Sequence, residues 1–115
     1  MTIQRHDSNA RMSQAVVHNG VAYLAGQVAS GDSVTAQTEG ILQKVEAQLT
    51  ASGTDKSRLL SATIWLTSMD DFAEMNAVWD AWVDSDQPPA RACVESPRLA
   101  TPEFKVEIMV QAATD

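Results

Sequence analysis

Apolar residues fall into short β-prone runs at both ends of the chain and into two stripes of helical period between them. Residues 13–18 form one run, ending in His18, and residues 21–28 form another, with Asn19-Gly20 between them. Asn-Gly between two such runs predicts a tight hairpin, because both central turn positions need positive φ. An edge strand is expected at 2–6 and a loop at Ser30-Gly31-Asp32-Ser33. From residue 34 to 49 the period becomes helical. At about 100° per residue, Val34, Ile41, Val45 and Leu49 share a face with Leu42 at its margin, and Glu39, Gln43, Glu46 and Thr50 lie opposite. Gly53 stands where a helix stop is expected. Residues 59–67 read as a strand, with Leu60, Ala62, Ile64 and Leu66 on one face and Ser61, Thr63, Trp65 and Thr67 on the other. Ser68, with Asp71 three residues later, comes close to a capping box. It opens a second helix with the stripe Phe72, Met75, Trp79, Trp82 and Val83, which ends before Pro88-Pro89. Strands at 90–96 and 104–112 complete the chain.

The order β-β-β-α-β-α-β-β predicts an α+β two-layer sandwich. One domain spans residues 1–115, with a mixed sheet of five to six strands covered on one face by two helices. Leu60/Ile64, Ala92/Val94 and Val106/Ile108/Val110 are expected to face those helices. Alternation then sends Arg91, Cys93 and Glu95 to the other face. Thr63, Trp65, Lys105, Glu107, Met109 and Gln111 join them there. Trp65, Met109 and Cys93 are odd choices for a wet surface, and Arg91 and Glu107 are costly in a core. Such a face fits a subunit interface holding a polar pocket; a solvated face with one stray Trp accounts for the alternation equally well. Asn76 lies on the apolar stripe of the second helix. A buried Asn must be hydrogen-bonded, and its plainest role is a clamp on a neighbouring loop.

The composition, 44% hydrophobic and 20% charged over 115 residues, is that of a globular protein. A net charge of −7 with scattered Lys and Arg disfavours nucleic-acid binding. The single cysteine, Cys93, excludes an intrachain disulfide. No signal-peptide pattern occurs, and no run approaches the roughly 20 apolar residues of a membrane helix. A cytoplasmic protein that meets no membrane is therefore expected. No P-loop, dinucleotide fingerprint, Cys-x-x-Cys or nucleophile elbow is present, and His6 and His18 are not spaced as a zinc pair. No cofactor or metal is expected. An Arg, a Glu and backbone groups remain, enough to bind a small carboxylate and move one proton.

Pro89-Ala90-Arg91-Ala92-Cys93-Val94-Glu95, followed by Lys105-Val106-Glu107-Ile108, resembles the signature of the RidA (YjgF) family of reactive-intermediate deaminases. The resemblance extends through Ser13-Gln14, Gly26-Gln27, Asp71-Phe72-Ala73-x-x-Asn76 and Trp79-x-x-Trp82. Arg11-x-Ser13 and the run from Asn76 to Val83 look most like the YoaB-like branch. The resemblance implies a chorismate-mutase-like fold and a homotrimer with clefts between subunits. It also implies cofactor-free hydrolysis of 2-aminoacrylate or 2-iminopropanoate to pyruvate and ammonia. By the same resemblance Arg91 pairs with the substrate carboxylate, backbone groups at Cys93 contact the imine nitrogen and carboxylate, and Glu107 orients or activates water. Asn76 becomes a cleft-proximal residue. Three positions depart from the pattern: Met12 replaces a Tyr, Ala25 replaces a Ser, and Pro88 replaces an aromatic residue. The first two remove hydroxyls from the cleft, and leave open a regulatory trimer that binds a small carboxylate or 2-keto acid without turnover.

Overall fold

Residues 2–115 are described by a computed structural model. In chain order the elements are β1 (Gln4–His6), β2 (Ala15–His18), β3 (Val21–Leu24), α1 (Val34–Ala51), β4 (Leu59–Leu66), α2 (Phe72–Trp82), β5 (Ala90–Glu95) and β6 (Val106–Ala113). Short 3₁₀ turns, Lys56–Arg58 and Met69–Asp71, lead into β4 and α2. The expected order of elements holds. One six-stranded sheet runs β1-β2-β3-β6-β4-β5. Only β4 and β5 are parallel, as a connection through a helix allows and a hairpin does not. Both helices cover the same sheet face.

Local chemistry sets the turns. Asn19 and Gly20 both adopt positive φ, 51° and 78°, and the Val21–His18 pair closes the hairpin. Ser33 caps α1 by accepting from the Ala36 N–H at 3.0 Å, and Gly53 ends it at φ 80°. The strand expected over 21–28 is shorter. The chain leaves the sheet after Leu24 and rejoins it only at Gln27, which exchanges backbone hydrogen bonds with Ile108 at 2.8 and 3.1 Å.

Two expected core assignments are overturned. Leu60 does not face the helices: the register of β4 against β6 shifts between Leu59 and Ser61. That bulge gives Leu59 the buried place and leaves Leu60 47% exposed. Ala92 and Val94 also point away from the helices. On β5 it is Cys93 that packs against the core, while Val94 is 45% exposed. The physical reason lies in the parallel register, which sets Arg91, Cys93 and Glu95 beside Ala62, Ile64 and Leu66. Those three β4 residues are buried under the helices.

A polar residue in the helical stripe organises the far end of the sheet. Gln37 is 1% exposed. Its amide donates to the carbonyls of Gly31 (3.1 Å) and Glu103 (2.9 Å), and its oxygen accepts from the Lys105 N–H at 2.9 Å. The connection from β5 to β6 is thereby tied to α1, and every polar atom of the side chain has a partner. Gln37→Ala strands two carbonyls and one N–H. A loss of roughly 1–3 kcal/mol in unfolding free energy is expected, measurable by urea denaturation; an unchanged midpoint would contradict this role.

Candidate functional site

Arg91 reaches β5's helix-facing side and meets α2. Its Nη1 donates to Asn76 Oδ1 at 2.7 Å. Its guanidinium carbon lies 5.6 Å from the centre of the Trp79 ring and 5.9 Å from that of Phe72. Residues 72, 76 and 79 share one helix face, so α2 presents ring, amide and ring to a single guanidinium. Trp79 is itself buried and tilts against Trp82 with ring centres 5.4 Å apart. Asn76 is half-buried, and its bonded partner is Arg91 rather than a loop, which corrects the plain clamp expected of it.

The remainder of this β5 face also engages the helical layer. Cys93 packs on the core. Burial raises its thiol above the ordinary value, outweighing a downward pull from Arg91, which disfavours the thiolate. Glu95 accepts from the Met69 N–H at 2.9 Å, satisfying a donor at the start of the turn that opens α2. Ser68 supplies a second cap at Asp70 N, 3.2 Å, without the reciprocal bond from Asp71 that a capping box requires. Only β4 pairs with β5, which is an edge of the sheet. Backbone groups on the strand's free side are left for a ligand or a second chain.

Glu107 lies on the opposite face. It pairs with Trp65 across β4 and β6, and alternation separates Trp65 from Ala62, the partner of Arg91. The expectation that Arg91, Cys93 and Glu95 share a face with Glu107 is therefore wrong. The sheet stands between them, and Lys105 falls just before β6 rather than on it. Sequence alternation misled because both faces carry apolar residues. Trp65 and Met109 are half-buried on the helix-free side, and Tyr23 and Val94 are each 45% exposed there. Glu107 packs against Gly26, where an added Cβ would displace its carboxylate. Ala25, one of the departures, immediately precedes that glycine in the chain. Met12, the other departure, sits in an exposed loop pinned by Asn9, whose Oδ1 accepts from the Arg11 and Met12 N–H groups at 2.8 and 3.0 Å.

Within one chain, then, Arg91, Asn76 and Cys93 come together and Glu107 does not join them. Arg91 offers a planar cation to an anion, and Glu107 offers a partly desolvated carboxyl on the other side of the sheet. The sequence reading missed Phe72 and Trp79 as neighbours of Arg91; the signal was their spacing around Asn76. Among the described residues, no cluster of His, Cys, Asp and Glu is placed to hold a metal ion, and no helix is long and apolar enough to cross a membrane.

Comparison with known proteins agrees with this fold. The Endoribonuclease L-PSP family matches residues 2–114. A RutC family protein of Haemophilus ducreyi is 46% identical over 113 residues, 96% of each chain. The RutC family protein YoaB of Escherichia coli is 42% identical over 114 residues, covering 98% of this chain and 99% of its own. A solved YjgF family structure from Neisseria meningitidis superposes with a TM-score of 0.97 at 44% identity. The match covers 100% of this chain and 97% of that one.

Burial raises the Glu107 carboxyl above the ordinary glutamate range, so the folded protein holds this proton more tightly than the unfolded chain. Stability is accordingly lost as pH rises through the ordinary range and up to the raised value, and stays lost above it. Glu107→Gln should be more stable than the parent at neutral pH, and equal to it at about pH 3, where the acid is protonated in both states. Thermal melts at the two pH values test this. Equal melting at neutral pH would contradict it.

Proposed function

The chain belongs to the RidA/YjgF family, alongside YoaB-like members, and on that footing we propose that it hydrolyses small reactive 2-imino acids. The substrates are 2-iminopropanoate and its tautomer 2-aminoacrylate, the products pyruvate and ammonia, and the site a cleft shared between subunits of a homotrimer. The observation that carries this reading is Arg91. Arg91 is exposed and its guanidinium is already held by Asn76, in a protein whose net charge is −7. A forked cation of this kind grips a carboxylate through two parallel hydrogen bonds, as an ammonium cannot.

The reaction asks little beyond positioning. With the carboxylate on Arg91, the imine carbon two bonds away is held beside a water molecule. Water adds to that carbon, the C–N double bond becomes single, and the nitrogen takes up a proton. The hydroxyl proton of this adduct then passes to the nitrogen, the C–N bond breaks, the C–O bond becomes a carbonyl, and ammonia leaves. Glu107 of a neighbouring copy relays the proton from water to nitrogen. Its raised pKa brings it nearer neutrality, where a carboxyl both accepts and returns a proton readily. An imine is electrophilic already, so orientation supplies most of the acceleration.

Separation of the two residues supports the shared cleft. Arg91 and Glu107 lie on opposite faces of one sheet, so a site using both needs two chains. The helix-free face supports the same reading, since Trp65, Met109, Tyr23 and Val94 form an apolar surface that association would cover. Met12 and Ala25 favour a second reading, a trimer that binds a 2-keto acid without turnover, because neither supplies a hydroxyl to the water. Ribonuclease activity is poorly served by the acidic charge.

The decisive assay generates 2-iminopropanoate from alanine with an amino-acid oxidase and traps it with semicarbazide. Micromolar protein should lower the rate of trapping, and Arg91→Ala should remove the effect. Trapping unaltered by the parent protein would leave only the binding reading, which predicts pyruvate affinity that Arg91→Ala abolishes.

A further inference from the structure

We propose that Phe72, Asn76 and Trp79 are positioning residues that fix the Arg91 guanidinium without neutralising it, so that a carboxylate meets a preformed and uncompensated cation. This inference rests on the reading of Arg91 as a carboxylate anchor and adds to it what holds the anchor ready. Fifteen acidic residues face eight Lys and Arg in this chain, so an arginine without an acid beside it needs a cause. Among the described residues the ion pairs are Lys56–Glu46 and Arg58–Asp115, and Arg91 is in neither.

Two acids on the elements that carry this cluster are committed elsewhere. Glu95, on the same face of β5 as Arg91, accepts from Met69 N at 2.9 Å. Glu74, on α2, accepts from both the N–H and the hydroxyl of Thr35 at 2.9 Å. What touches Arg91 instead is uncharged: two π faces at 5.6 and 5.9 Å and one amide oxygen at 2.7 Å.

That choice of partners has a chemical consequence. A guanidinium has five N–H donors. Cation–π contacts hold it through the ring quadrupole and use none of them, and Asn76 takes one. Four donors and the whole charge remain, enough for a forked grip on an incoming carboxylate. An aspartate at position 76 would hold the side chain as firmly, but an arriving carboxylate would then meet a neutral pair. Rotamer freedom already lost in the free protein is not lost again on binding, which favours affinity.

The test measures pyruvate binding to the full-length protein by calorimetry, with melting curves confirming that each variant is folded. Phe72 lies at the surface, with 36% of it exposed. Phe72→Leu should raise the pyruvate Kd roughly two- to fivefold, and Phe72→Tyr should restore it. Asn76→Asp is the sharper variant because it keeps shape and acceptor. It should weaken binding about tenfold or more, and further than Asn76→Ala does, since an isolated carboxylate beside Arg91 cancels the charge that Ala leaves intact. A purely structural asparagine predicts the reverse order, with Asp tolerated better than Ala. If Arg91→Ala abolishes binding while Phe72→Leu and Asn76→Asp bind like the parent, the cradle is refuted and the anchor stands. Pyruvate bound by Arg91→Ala as by the parent refutes the anchor itself.

Discussion

Parallel pairing of β5 with β4 decides where each charge of the candidate site is placed. It sets Arg91 beside Ala62, Cys93 beside Ile64 and Glu95 beside Leu66, and so turns all three towards α2. A slip of one residue would exchange the faces. Ala92 and Val94 would then lie under the helix, and Arg91 would share the open face with Glu107. The register is held at several points along the strand: Asn76 on Arg91, the core on Cys93, and the Met69 N–H on Glu95. Beyond the strand, Gln37 ties the connection into β6 to α1.

From this register follows a division of chemistry. The helix side carries the cation, with an aromatic and amide surround that restricts its motion. The open side carries the carboxyl, desolvated beside Gly26 and Trp65 and set in an apolar face. Neither half is a complete site for hydrolysis. The cation costs little where it stands, because it is exposed and ring faces attract it without cancelling its charge. An open face with Tyr23 and Val94 exposed is less comfortable in water, and its burial against other copies would bring the second half of the site into reach. On the proposed function, association and catalysis are linked through one surface.

Much of the fold was legible in the chain. Asn19-Gly20 requires left-handed φ at two successive positions, and few structures other than a hairpin supply it. The stripe from Val34 to Leu49 and the stripe around Trp79 each have helical period over several turns. The signature around Arg91 pointed to the candidate site. Three features were not legible, each for a physical reason. The bulge at Leu59/Ser61 exchanges Leu59 for Leu60, two identical side chains, so composition offers no sign of it. The facing of β5 was misread because Ala92 and Val94 suit an apolar open face as well as a core, while Cys93 suits either. Gln37 was passed over as a polar residue, although its spacing from Val34 and Ile41 places it on the buried stripe. The partners of Arg91 depend on how Asn76 and the rings of α2 meet β5, which the sequence does not state.

The central claim is that Arg91 and Glu107 act together but come from different chains. Subunit mixing tests this most directly. Arg91→Ala and Glu107→Ala proteins, each inactive alone, are unfolded together, refolded as mixed assemblies and assayed for release of ammonia from 2-iminopropanoate. In a mixed assembly an intact Arg91 from one chain faces an intact Glu107 from its neighbour, so activity should return to a substantial fraction of the parent's. If both residues acted within one chain, no mixed assembly would contain a whole site, and a mixture as inactive as its components would contradict the account.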